Sequence, residues 1–114
     1  MSFIRKTMLN VEVISLFGRF DTEASEEVEK EFDSLDESGS LKSLVDMSYV
    51  TYISSSMIRV LIKTLKAHKA RDGDVRLVGL QPNILKVLEI TGISTIFSIH
   101  ETIDEAVASF SKPS

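Results

Sequence analysis

The chain has no cysteine, and that one absence removes disulfide scaffolds, thiolate zinc sites and thiol nucleophiles together. It is compatible with a reducing compartment, and a cytoplasmic protein is expected. No apolar run approaches the roughly 20 residues of a membrane helix, and the opening MSFIRKTMLN lacks the apolar stretch of a signal peptide. Positive charge is scarce: 13 lysines and arginines against 17 aspartates and glutamates leave a net charge of −4 and a pI near 5.1. Phosphate binding needs a net basic face, so the expected partner is protein and not nucleic acid. Only two histidines occur, His68 and His100. Without cysteine they offer no metal-ligand spacing, and the five scattered glycines build no phosphate-cradling loop followed by Lys-Ser or Lys-Thr. No metal or cofactor is therefore expected.

What is present is enough for one core. With 114 residues, 43% of them hydrophobic, the chain is expected to form one domain over 1–114. Charge is segregated along it. From Asp21 to Glu37 there are nine acids against the single base Lys30, whereas Ser54 to Arg71 carries Arg59, Lys63, Lys66, Lys69 and Arg71 with no carboxylate. These are either solvated helix faces or two faces of opposite sign that steer a partner.

Hydrophobic periodicity gives the order of elements. Met8–Phe17 is predicted as a strand, with another at Phe3–Thr7 before it, and Gly18 as its break. Thr22 is the expected N-cap of an amphipathic helix carrying Ala24, Val28, Phe32 and Leu35, stopped at DESGS. LKSLVDMS follows as a buried strand. In the next helix, over Ser54–Arg71, the expected apolar face is Met57, Ile58, Leu61, Ile62 and Leu65, with Arg59, Lys63 and Lys66 opposite. RDGD is a turn and VRLVGL a strand. Pro82 opens a third helix that Gly92 closes, STIFSIH is a last strand, and Thr102 with Glu105 caps a terminal helix through Phe110 before a frayed SKPS tail. His68 is expected to be exposed and His100 to lie in a loop. The alternation predicts an α/β fold, a mixed, mostly parallel sheet of four to five strands with four helices, the first strands antiparallel at an edge. Function in such sheets sits at the carboxyl ends of the strands.

VTYISSSMIRVLIKTL, from Val50 to Leu65, places Ser54, Ser55 and Ser56 at such an end. A nucleophile elbow needs glycines two residues either side of the serine, and Ser55 has Ile53 and Met57 there. No Ser-x-x-Lys is formed, since Arg59 stands three after Ser56 and no lysine comes before Lys63. An enzyme is not expected. Two compatible readings remain: Ser54 as an N-cap contributing about 1 kcal/mol, and a serine in the first helical turn as a favourable seat for a phosphoryl group.

VDMSYVTYISSSMIRVL and the order of elements resemble the STAS domain of bacterial anti-sigma factor antagonists. LFGRFDTEAS, with Gly18 and Asp21, is similar to a second stretch of that family. RLVGLQPNILKVLEITGISTIFSIHETIDEAVASF resembles its C-terminal half, including Gly79, Pro82, Leu88, Gly92, Ile93, Phe97 and Ala106. The resemblance implies the STAS fold and places the family's phosphoacceptor on Ser55, with Ser54 and Ser56 as alternatives. It implies an anti-sigma factor serine/threonine kinase as partner, release on phosphorylation, and a phosphatase that restores binding. The surface it implies comprises Asp21, Ser54, Ser55, Ser56, Met57, Arg59 and Lys63, on a monomer or weak dimer. Ser54 stands where the family usually has aspartate and Met57 where it usually has glycine. The methionine stem is therefore expected to add bulk on the surface a kinase approaches. The alternatives are a non-switching STAS scaffold of a stress-signalling or lipid-transport complex and, from another class, a small hydrolase or nucleotide-binding enzyme.

Overall fold

The computed structural model describes residues 2–111; most of the SKPS tail lies outside them. The elements are β1 (Phe3–Met8), β2 (Val11–Phe20), α1 (Thr22–Glu37), β3 (Lys42–Ile53), α2 (Ser55–Lys69), β4 (Asp74–Val78), α3 (Pro82–Ile90), a 3-10 turn at Ile93–Thr95, β5 (Ile99–His100) and α4 (Ile103–Ser109). One sheet of order β1-β2-β3-β4-β5 joins the strands. The β1–β2 pair is antiparallel, and each later pair is parallel. This is the mixed, mostly parallel sheet with an antiparallel edge that the alternation predicts.

The first hairpin differs from expectation in its boundary. Met8 belongs to β1, and the turn is Leu9–Asn10, both at positive φ (49° and 66°). That is the hairpin turn whose twist suits its strands. No glycine marks it, so the apolar alternation runs on through it unnoticed. Nor does Gly18 break β2. At φ +87° it sits where the β2–β3 register shifts, and the strand continues to Phe20. A residue without a Cβ takes that conformation at no steric cost, and the strand bulges there instead of stopping.

The three parallel connections all step the same way across the sheet. Right-handed crossovers therefore put α1, α2 and α3 on one face, where Ile14, Phe20, Phe32, Met47, Leu61 and Leu77 form the main core. The other face carries α4 alone, over the smaller cluster of Val11, Val13, Leu44, Val78, Ala106 and Val107. Strand β3 lies between the two, and Ser43 to Met47 are all buried because both its faces are covered.

Two expectations fail in informative ways. STIFSIH is mostly not strand: Gly92, left-handed at φ +78°, leads into the 3-10 turn, Phe97 caps the main core, and only Ile99–His100 pair with β4. His100 is thus an edge-strand residue, not a loop one. His68 is completely buried, with Nε2 2.9 Å from Ser43 Oγ of β3. Its place is decided by helical phase: it follows Met57, Leu61, Thr64 and Leu65 on the buried stripe of α2.

Burial pushes the His68 imidazole below the ordinary histidine range, against the upward pull of Asp36, the Thr64 backbone and Asp74, while Arg71 lowers it further. The unfolded chain takes up the proton near pH ~6.5. Stability is therefore whole above that value and is lost as the pH falls from it to the depressed folded value, by at most about 1.4 kcal/mol per pH unit. Urea melts at about pH 7.5 and about pH 5.5 should show a lower midpoint at the acid value. His68→Gln, whose amide can still bond Ser43, should remove the histidine's share of the difference; an undiminished difference would assign the pH dependence to other groups.

Candidate functional site at the carboxyl ends of β2 and β3

Strands β2 and β3 stay paired to their last residues, Phe20 opposite Ile53, and the Ser54 amide donates to the Phe20 carbonyl at 2.9 Å. Both strands then lead into helices on the same side of the sheet. Asp21, extended at φ −75°, ψ −172°, caps α1 by accepting from the Ala24 amide at 2.9 Å. The cap is thus one residue earlier than the expected Thr22, which is the first helical residue. Aspartate is the better acceptor for the orphan amides of a first turn. Ser54, extended at φ −86°, ψ 168°, caps α2 by accepting from the Met57 amide at 3.2 Å. The Thr22 and Ser56 hydroxyls lie 3.3 Å apart and tie the two helix starts together.

The three serines are therefore not equivalent. Ser54 Oγ is engaged by the cap and Ser56 Oγ by Thr22, and both residues are half-buried. Ser55 is exposed, and among the described residues its hydroxyl makes no side-chain hydrogen bond.

Of the other residues placed at the site from sequence, Asp21, Arg59 and Lys63 are exposed around it. Met57 is not: its side chain is fully buried in the main core. The expected bulk on the approach surface is absent because position 57 is the first residue of the stripe that α2 presents to the sheet. That stripe is Met57, Val60, Leu61, Thr64, Leu65 and His68, rotated by roughly 60° from the expected one at 100° per residue. Ile58 and Ile62 are left half-exposed on its flank.

The rotation builds the outer face of α2. Ser55, Ile58, Arg59, Ile62, Lys63 and Lys66 line a shallow groove of about 490 Å³. Its floor is apolar, from the two isoleucines and the hydrocarbon stems, and its rim is cationic. Toward α1 the charges are paired. Lys63 Nζ reaches Glu29 at 2.8 Å and Asp33 at 3.3 Å, and Arg59 reaches Glu29 at 3.7 Å. The hydrogen bond with Lys63 holds the Glu29 carboxyl below the usual carboxylate range and the Lys63 amine above its own. The acidic and basic segments thus partly neutralise each other within the chain, and Lys66 has no ion pair among the described residues.

The path of β3 into Ser54 is fixed from the opposite side. Asp46 is buried and accepts from Ser15 Oγ at 3.2 Å, Ser48 N at 3.0 Å and Ser48 Oγ at 2.7 Å. Gly79 packs so tightly on Ser48 that a Cβ there would lie 2.2 Å from its Oγ. Gln81 and Asn83 donate to the carbonyls of Ser48 and Thr51 at 3.0 and 3.2 Å. Thr22, the Ile58–Ile62 floor and this support were missed from sequence, since only strand register and helix phase reveal them.

Ser43, His68 and Asp36 stand in the order of a hydrolase triad, with His68 Nδ1 4.0 Å from Asp36 Oδ1. Ser43 and His68 have no exposed surface, so no substrate can reach them. Among the described residues no group of three or more His, Cys, Asp or Glu is close enough to hold a metal. No described helix is long and apolar enough to cross a membrane.

The family model of the STAS domain matches residues 4–106. The chain belongs to the STAS domain family. BtrV of Bordetella bronchiseptica, a candidate anti-sigma factor antagonist, is 28% identical over 98 residues, 86% of this chain and 84% of that protein. The solved structure of a candidate anti-sigma factor antagonist of Thermotoga maritima superposes with a TM-score of 0.92 at 25% identity, covering 96% of this chain and 95% of that one. SpoIIAA of Bacillus in its phosphorylated form superposes with a TM-score of 0.78 at 20% identity, covering 95% and 98%, a likeness of fold. The STAS domain's architecture here is thus the expected α/β fold.

Ser54→Ala should cost roughly 0.5–2 kcal/mol, as should Asp21→Ala, because each removes the acceptor of a first-turn amide. Ser55→Ala should cost much less. Urea melts giving the three variants equal losses would contradict the capping geometry.

Proposed function

We propose that this STAS-domain chain is an anti-sigma factor antagonist whose binding to an anti-sigma factor serine kinase is ended by phosphorylation of Ser55. The observation that carries this reading is the inequality of the three serines: of the hydroxyls at the start of α2, only that of Ser55 is exposed with no side-chain partner among the described residues. The relatives named as antagonists support the general role. The role needs no catalytic group in this chain, which acts as ligand and as substrate. The docking surface is the junction of Asp21, Thr22 and Ser54–Ser56 together with the groove of α2.

A phosphate on Ser55 brings a charge of about −1.5 to −2. Buried against a partner that fits the unmodified hydroxyl, such a charge must be desolvated with no matching cation supplied by that partner, and binding is lost. A phosphatase that removes it restores the surface. Ser54 keeps the capping function of the usual aspartate without its fixed negative charge, so the acceptor stands in a less acidic setting than the family pattern provides.

Incubated with its cognate kinase and ATP, the chain should gain one phosphate, mapped to Ser55 by mass spectrometry. Ser55→Ala should gain none and still bind the kinase. A phosphate mapped to Ser54 or Ser56 would overturn the residue assignment. No phosphate with a kinase that binds the chain would leave a scaffold as the role.

A further inference from the structure

We infer that Arg59 is the internal partner of a phosphate on Ser55, so that modification both adds a dianion and withdraws a cation from the rim of the α2 groove. The inference rests on the proposed modification of Ser55 and concerns what this chain then does with it.

Ser55 and Arg59 are four residues apart on α2 and line the same groove. At that spacing two Cβ atoms lie about 5–6 Å apart on one face, and an arginine side chain spans the gap. The guanidinium presents paired N–H donors that match phosphate oxygens two at a time. Lys66, which has no ion pair among the described residues, lies eleven residues, about three turns, from Ser55, and of the two cations that share Glu29, Arg59 is the freer to move. Its side chain is 63% exposed, and its ion pair is the long 3.7 Å contact with Glu29. Lys63 holds the same carboxylate at 2.8 Å and Asp33 at 3.3 Å. If Arg59 turns to the phosphate, the tie between α1 and α2 therefore survives. Lys63, eight residues from Ser55 and committed to α1, does not compete. Among the described residues no carboxylate lines the groove to oppose the pairing.

The consequence is a two-part switch. A partner that docks on the cationic rim meets a new anion at Ser55 and finds Arg59 turned toward it, leaving Lys63 and Lys66. The phosphate itself is partly neutralised within the chain.

The test uses the full chain with phosphoserine installed at position 55 by genetic encoding, so that no kinase is needed. The probe is the 31P resonance of that phosphate, followed through its second ionisation in the otherwise native chain and in Arg59→Gln, Arg59→Lys and Lys63→Gln. The native chain should titrate about 0.3–0.7 pH unit below Arg59→Gln, a span set by the strength of exposed ion pairs. The difference should shrink in about 0.5 M salt. Arg59→Lys should recover part of it, and Lys63→Gln should match the native chain. Identical titrations of the native and Arg59→Gln chains would overturn the inference, as would an equal shift from Lys63→Gln. Failure of the proposed function would appear separately, as a kinase that leaves Ser55 unmodified.

Discussion

The site exists because β2 and β3 are parallel and paired to their last residues. Phe20 faces Ile53, the Ser54 amide is held on the Phe20 carbonyl, and two helices begin side by side at the carboxyl ends of the two strands. In an antiparallel pair the two carboxyl ends would point in opposite directions and the helix starts would lie at opposite ends of the strands. The placement of Asp21, Thr22 and the three serines follows from that register. The buried Asp46, the close approach of Gly79 to Ser48, and the Gln81 and Asn83 amides hold the second half of β3 in place, so that the last residue of the strand delivers Ser54 in a capping conformation.

Hydrogen-bonded helix starts are combined here with exposed ion pairs on the helix surface. The caps and the Thr22–Ser56 contact satisfy first-turn groups, while Ser55 lies outside that network. On the outer face of α2, Glu29 is shared by a short bond from Lys63 and a long one from Arg59. Exposed ion pairs are individually weak, so this arrangement adds little to stability. It does set which cation stays with α1 and which remains free to answer a new charge.

The class of fold was legible because strong patterns agree: β-branched strands, helices with apolar residues at helical spacing, and caps at Ser54 and Thr102 where the sequence offers them. Boundaries were less legible. The Leu9–Asn10 turn carries no glycine, Gly18 makes a bulge in place of a stop, and the left-handed Gly92 diverts STIFSIH into a 3-10 turn. Helix phase was the costliest uncertainty. Ile58 and Ile62 read as core residues as plausibly as Val60 and Thr64 do, and only the sheet beneath α2 decides between them. That choice buried Met57 and His68 and exposed the groove. The candidate serine could be located from sequence, but its distinction from its neighbours depends on hydrogen bonds across to α1, which no local pattern encodes.

The proposed partner docks at the junction of the two helix starts and along α2. Backbone amide spectra of the 15N-labelled chain, recorded while unlabelled cognate anti-sigma factor kinase is added, test it most directly. The signals that move first and furthest should be those of Asp21, Thr22, Ser54 to Ser56, Ile58, Arg59 and Ile62. Perturbations confined instead to the sheet face around Ile4, Phe17 and Tyr49, where Ile4 and Tyr49 are exposed and Phe17 stacks on Tyr49, would contradict it.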